Sequence, residues 1–169
     1  MKHANPKGLV IAGAVLAAGI ATGAPAEAQD RVKWKMQSAF ASSLSHLGTS
    51  GVRFSENLDR LSDGTLELKF FEPGALVPAL ECFDAASKGS VESCWTTPGY
   101  HTGKYPALAF FTAVPFGPSY GEFFAWKKFG GGDDLRNEIY GEHGLYSIDS
   151  FAIGPETSGW FKQEVPSLD

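Results

Sequence analysis

Gly117, Ser119 and Gly121 in the stretch "GPSYGE" spell G-x-S-x-G, the elbow that presents a nucleophilic serine in many hydrolases. The apolar run "ALAFFTAVPF" leads into it, and the helix-like "EFFAWKKF" follows. An elbow serine needs a histidine base and an acid to orient that base. In the hydrolase order the downstream candidates are Asp133 or Asp134, followed by His143. All three fall in one short helical stretch, which leaves little chain for the separate loops that present a triad. A plainer reading is local. Ser119 and Glu122 form S-x-x-E, a capping box in which each side chain satisfies a backbone donor at the helix start. Capping is therefore the expectation, and a small secreted serine hydrolase using Ser119 is the alternative function.

Other reactive residues point to less. The four histidines, His3, His46, His101 and His143, lack zinc-ligand spacing. His101 lies in a loop-rich stretch, where exposure to solvent is the expectation. "GGGDD" lacks the G-K-[ST] ending of a phosphate loop and reads as a break between two helices. Asp133 and Asp134 are neighbours on a predicted helix, so their side chains point apart and do not form an acid–base pair. No catalytic residue is assigned. Cys82 and Cys94 are open to pairing, but nothing in their spacing sets the geometry. Two separate buried thiols are the plainer reading.

The chain has 169 residues, 43% of them hydrophobic and 20% charged, enough for one compact domain or part of a larger one. A formal charge of -5 with scattered Lys and Arg argues against nucleic acid as a partner. Residues 1–28 have the order of a secretory signal. Lys2 and Lys7 precede the apolar "GLVIAGAVLAAGI", and Ala26-Glu27-Ala28 supplies a small-residue cleavage site. The apolar run is too short to favour a membrane span. Cleavage after Ala28 and a periplasmic location are expected, and that oxidising compartment permits a disulfide.

The elements that must position any site follow. "VKWKMQS" alternates, with Val32, Trp34 and Met36 on one face, as a strand does. Leu47, Phe54, Leu58 and Leu61 recur at helical spacing, with Glu56 and Arg60 an i,i+4 pair on the wet side and Asp63-Gly64 as the stop. "TLELKFF" alternates again. Leu76, Leu80 and Phe83 predict a helix within 75–89, ended by Gly89, and "SVESCW" reads as a short buried strand. The order β-α-β-α-β implies an α/β fold with parallel strands and right-handed crossovers. Beyond residue 97 come the loop "TPGYHTGKYPALAF", two helices over "EFFAWKKF" and "DDLRNEIYGEHG", and a predicted strand in "LYSIDSFAI". Loops past the carboxyl ends of parallel strands are where open α/β sheets bind ligands.

"WKMQSAF", "FEPGALVPALECFDAASKGSVE", "GYHTGKYPALAFFTAVPFG" and "SGWFKQEVPSLD" resemble successive segments of the solute-binding proteins of TRAP transporters. They look closest to the branch that binds 2-oxo acids and similar small carboxylates. The resemblance runs from about Val32 to Asp169. It implies a periplasmic binding protein of two α/β lobes that traps an organic acid and hands it to membrane permease subunits driven by an ion gradient. Residues 29–169 would be the N-terminal lobe, with most of the second lobe lying beyond Asp169.

Individual positions carry over from that resemblance. Tyr100 stands where the family places a cleft-facing tyrosine. Glu156 stands where many relatives carry a glutamine touching ligand or a bound metal cation; a carboxylate there would strengthen a metal and repel a bare acid. Phe40 and Phe116 are expected as cleft walls. The family's ligand-clamping arginine belongs to the segment after "SLD", so this half-cleft is expected to bind organic acids weakly or not at all. A homodimer, or pairing with another chain that rebuilds the cleft, is a further expectation.

Overall fold

The computed structural model describes residues 31–154 and 159–164. The predicted signal peptide, Glu156 and the "SLD" ending lie outside them. Three parallel strands form the sheet in the order β2-β1-β3: β1 (Val32–Ser38), β2 (Leu66–Phe71) and β3 (Ser93–Trp95). β1 runs beside β2 from Val32↔Leu66 to Gln37↔Phe71, and beside β3 from Met36↔Ser93 to Ser38↔Trp95. The expected β-α-β-α-β order is therefore the observed one. Because β3 meets only the end of β1, the sheet is complete only there. Val32 to Lys35 are exposed, whereas Met36, Gln37 and Ser38 are buried.

Helix α1 (Leu47–Leu61) covers one face. Met36, Phe40, Leu68 and Trp95 form the core beneath it, with Leu47, Leu58 and Phe70 at its edge. Burying a side chain such as Leu68 contributes about 1.5–3 kcal/mol. The close seating of α1 depends on two glycines. A Cβ on Gly48 would lie 1.7 Å from the Ala41 carbonyl oxygen, and one on Gly51 would lie 2.9 Å from the Trp95 indole nitrogen. That nitrogen donates to Leu47 O at 2.7 Å, tying β3 to the helix start.

Several local expectations need correction. Leu61 is 80% exposed, because the last turn of α1 runs past the sheet. Arg60 bonds Asn57 at 3.0 Å instead of pairing with Glu56. The predicted helix over 75–89 shrinks to a 3-10 turn (Ala79–Glu81) and α2 (Cys82–Ser87). Pro78 precedes the turn in extended backbone, and proline cannot donate inside a helix. Leu76 and Leu80 are consequently exposed, and only Phe83 of the predicted apolar face is buried. Cys82 and Cys94 form a disulfide with a Cα–Cα distance of 5.8 Å, clipping α2 to β3. Residues 145–154 form no strand.

The second half adds two 3-10 turns (Pro98–His101 and Pro106–Phe111), α3 (Tyr120–Phe129) and α4 (Gly132–Gly141). Gly131, at φ 85°, makes the left-handed turn between the last two helices. Phe83, Leu108, Phe111 and Tyr140 form a second core cluster.

Candidate functional site

The sheet order 2-1-3 places a topological switch point between β1 and β3, where the chain leaves neighbouring strands in opposite directions. A crevice opens at the carboxyl ends of strands at such a point. Phe40 lies two residues past β1, and Tyr100 lies in the 3-10 turn after β3. Their rings meet there, with centroids 5.7 Å apart. Phe40 is buried, whereas Tyr100 is 47% exposed and faces outward. Two of the residues expected in the cleft are thus brought together by separate loops.

Local hydrogen bonds explain why those loops hold their shape. Ser38 Oγ accepts from Phe40 N at 3.0 Å and donates to Phe40 O at 2.7 Å. Ala39 N donates to Trp95 O, extending the ladder one step beyond the strand. Across the switch point, Thr97 Oγ1 accepts from Gly99 N at 3.4 Å and lies 3.4 Å from Thr112 Oγ1. These Ser and Thr groups escaped the sequence reading because hydroxyls are common in any loop. The signal that could have found them is their position directly after predicted strands.

Phe116 is fully exposed, with φ at 56°, in the left-handed region that bulky residues seldom occupy. Among the described residues no aromatic contact joins it to Phe40 or Tyr100. The described residues contain no cluster of three or more His, Cys, Asp and Glu side chains able to hold a metal ion. By themselves they do not fit a cation site.

His101 departs from expectation. It is 5% exposed, with Phe83 at 5.2 Å and Nε2 lying 3.3 Å from Thr96 Oγ1. Burial pushes its pKa below the ordinary value, against the pull of Asp84, so the ring is neutral at pH 7. His143 packs on Tyr105, 4.4 Å between centroids. These contacts place both imidazoles in an aromatic cluster around Phe83, leaving the triad reading without a base.

Ser119 is instead engaged in its own helix. Its hydroxyl donates to Glu122 Oε2 at 2.7 Å, its N–H donates to the same oxygen at 2.9 Å, and Glu122 N returns a bond to Ser119 Oγ at 3.4 Å. The Ser119 hydroxyl, then its backbone N–H, holds the Glu122 carboxyl below its usual pKa. Ser119→Ala is expected to cost about 1 kcal/mol through loss of the cap. Thermal melts read that change, and a fluorophosphonate probe is expected to leave the parent chain unlabelled. Labelling at Ser119 would overturn the capping assignment.

A second concavity lies between the Pro106–Phe111 turn, α3 and α4. It has a volume of about 570 Å³ and is lined by Phe110, Phe111, Val114, Trp126, Leu135 and Ile139, among other apolar residues. It offers no polar side chain to orient a charged ligand. Small-molecule sites normally combine apolar walls with a few placed polar groups, a condition this apolar concavity does not meet.

The sequence profile of the DctP family, "Bacterial extracellular solute-binding protein, family 7", matches residues 37–160. A monocarboxylate 2-oxoacid-binding periplasmic protein of Nostoc sp. is 34% identical over 138 residues, which are 81% of this chain and 37% of that protein. A TRAP periplasmic solute-binding protein from Colwellia psychrerythraea, solved with calcium and pyruvate, superposes with a TM-score of 0.77 at 28% identity. That match covers 82% of this chain and 42% of the other. A TRAP solute-binding protein from Bordetella bronchiseptica RB50, crystallised as a dimer with calcium and picolinate in one site, gives a TM-score of 0.64 at 32% identity. There the match covers 68% of this chain and 34% of the other. The chain thus spans well under half the length of these relatives.

Proposed function

Because the chain belongs to family 7 of the bacterial extracellular solute-binding proteins, the receptors of TRAP transporters, we propose that it serves in capture of a small monocarboxylate, a 2-oxo acid such as pyruvate, in the periplasm. Proteins of this family bind solutes and do not turn them over, so the hydrolase alternative is dropped. The observation that carries the site assignment is the meeting of Phe40 and Tyr100 at the switch point between β1 and β3. The 2-oxo acid is the ligand named for the Nostoc relative, and pyruvate is the one bound in the Colwellia protein.

In this reading residues 1–28 are a cleaved signal peptide and residues 29–169 are the N-terminal lobe of the receptor. Permease subunits in the membrane receive the ligand. Phe40 and Tyr100 form the inner wall, Phe116 the outer rim, and Glu156 is the acid that meets a cation. The lobe supplies shape and weak polar contacts. A planar guanidinium, the group that grips a carboxylate with two hydrogen bonds, comes from elsewhere in a complete cleft.

Pyruvate titrated into isotope-labelled residues 29–169 should shift the amides of Phe40, Ser42 and Thr96 to Tyr100. The expected dissociation constant is about 1 mM or weaker, corresponding to about 4 kcal/mol of binding or less. Tyr100→Ala should remove the response. Shifts confined to Trp126 and Ile139, or no shifts at all, would overturn the site. Micromolar affinity would overturn the view that the grip on the carboxylate lies outside this lobe.

A further inference from the structure

Gln37 is the last residue of β1 paired to β2, at the middle of the sheet, and its side chain has 0% exposure. A buried primary amide is costly unless all its hydrogen-bonding capacity is met. Here it is met in full. Nε2 donates to Ser38 O at 2.8 Å and to Glu72 O at 2.8 Å. Oε1 accepts from Leu76 N at 3.0 Å and from Val77 N at 3.4 Å. Two donors face two carbonyls and one carbonyl faces two N–H groups, so only one orientation of the amide satisfies the set.

These bonds lie where the backbone ladder has ended. Past the Gln37↔Phe71 pair, the loops after β1 and β2 are joined by side chains among the described residues. Gln37 holds Glu72 O, Leu76 N and Val77 N. Glu72 Oε2 accepts from Ser42 N at 3.0 Å, and its carboxyl is held below its usual pKa by the Ser42 hydroxyl and then the Ser42 N–H. Gln37 also fixes the Ser38 carbonyl, while the Ser38 hydroxyl fixes Phe40, whose ring bears on Tyr100.

We propose that Gln37 is the positioning residue of the crevice: one buried amide sets the loops 39–44 and 72–77 in a single arrangement and thereby places Phe40 against Tyr100. Its bearing on ligand capture rests on the functional reading above. A leucine at position 37 would fill similar volume but hold neither loop. A glutamate would still accept from Leu76 N but, when ionised, would present negative charge to two carbonyls. When protonated it would donate to one of them. Burial raises a carboxyl pKa, so protonation is reached at mildly acidic pH. Glu72 is the titratable side chain on the loops that Gln37 holds, and its depressed pKa keeps it charged there.

The test is amide exchange on residues 29–169 carrying Gln37→Glu or Gln37→Leu, reported as protection factors at about pH 8 and about pH 5. Loss of a net hydrogen bond predicts about tenfold less protection at Ser42 and Leu76 in both variants at the higher pH, with Leu58 in α1 changed less than about twofold. Gln37→Glu should recover part of that protection at the lower pH, and Gln37→Leu should not. Unchanged protection at Ser42 and Leu76 would overturn the proposal, as would an equal loss throughout α1. Pyruvate titration separates the two readings. If the parent chain shows no pyruvate response, the ligand assignment fails while the exchange pattern still decides the role of Gln37. If the parent responds and Gln37→Glu responds with equal affinity despite deprotected loops, positioning of the crevice by Gln37 is refuted.

Discussion

Asp149→Ala is expected to lower folding stability by about 3–5 kcal/mol, the usual cost of leaving a buried charge without its partner. Asp149 sits on the irregular stretch after α4, yet it reaches back to two cations of the α3–α4 pair. Its Oδ2 pairs with Lys127 Nζ and lies 2.5 Å from Arg136 Nη1. Lys127 and Arg136 are both buried, with Arg136 only 2% exposed. Arg136 also approaches Asp133 Oδ1 at 3.1 Å and donates to Ser147 O at 3.0 Å. Burial alone would push the Asp149 carboxyl up; the hydrogen-bonded pairs with Lys127 and Arg136 overcome this and hold it below its usual value.

The variant leaves Lys127 buried with no carboxylate among its described contacts, while Arg136 keeps Asp133. For a chain of this size each kcal/mol shifts the melting temperature by about 2–4 °C, so a fall of roughly 10 °C is expected. Adding Lys127→Met to Asp149→Ala should restore part of the loss, because the orphaned charge is removed with its partner. A melting temperature within about 2 °C of the parent would show that solvent reaches this cluster and screens it. The sign in pH follows from the depressed pKa. The Asp149 contribution is complete above the unfolded carboxylate value and is lost as pH falls through the lower, folded value.

Removal of the Cys82–Cys94 bond is the second large effect. The bond spans a sequence separation of 12, and a loop of that length is expected to contribute about 3 kcal/mol through the unfolded chain. It also ties α2 to the strand that carries the Thr96–Tyr100 loop. Because Cys82 is fully buried, the double variant Cys82→Ala/Cys94→Ala is a cleaner test than a reductant. Urea titration should show a lower midpoint with a similar slope. An unchanged midpoint in the double variant would mean that the bond constrains nothing the fold does not already constrain.

Local chemistry was legible where it acts over a few residues. The Ser119–Glu122 cap, the stop at Asp63-Gly64 and the break at Gly130 to Gly132 depend on neighbours in sequence, and each stands where its motif puts it. The alternation in β1 and β2 likewise marked strands, although burial in β1 runs as a block from Met36 to Ser38 and does not repeat every second residue. Pro78 was misjudged because apolar spacing at Leu76 and Leu80 continued across it, while the backbone did not. The same limit applied to "LYSIDSFAI". Its aromatic and β-branched residues favour a strand, but the described chain is held by Asn137, Arg136 and Lys127 side chains instead of a sheet partner.

The site divides in the same way. Phe40 and Tyr100 entered through family resemblance, and Glu156 lies outside the described residues. Gln37 was invisible as a functional group: it read as the polar side of an alternating strand, and only the crossing of two loops over it shows that its face is buried. His101 and Arg136 were hidden for the same reason.

The sequence by itself determined the class of fold, the alternation of strands and helices along the chain, the cap at Ser119, the stops at Gly64 and Gly130 to Gly132, and the family, because those depend on periodicity, caps and runs of residues that travel together. The tertiary structure alone decided that Cys82 bonds Cys94, that a glutamine and a histidine are interior, and that Asp149 pairs with the buried Lys127 and Arg136. Burial and pairing at long range depend on which loops cross which strand ends, and no local pattern encodes that distance.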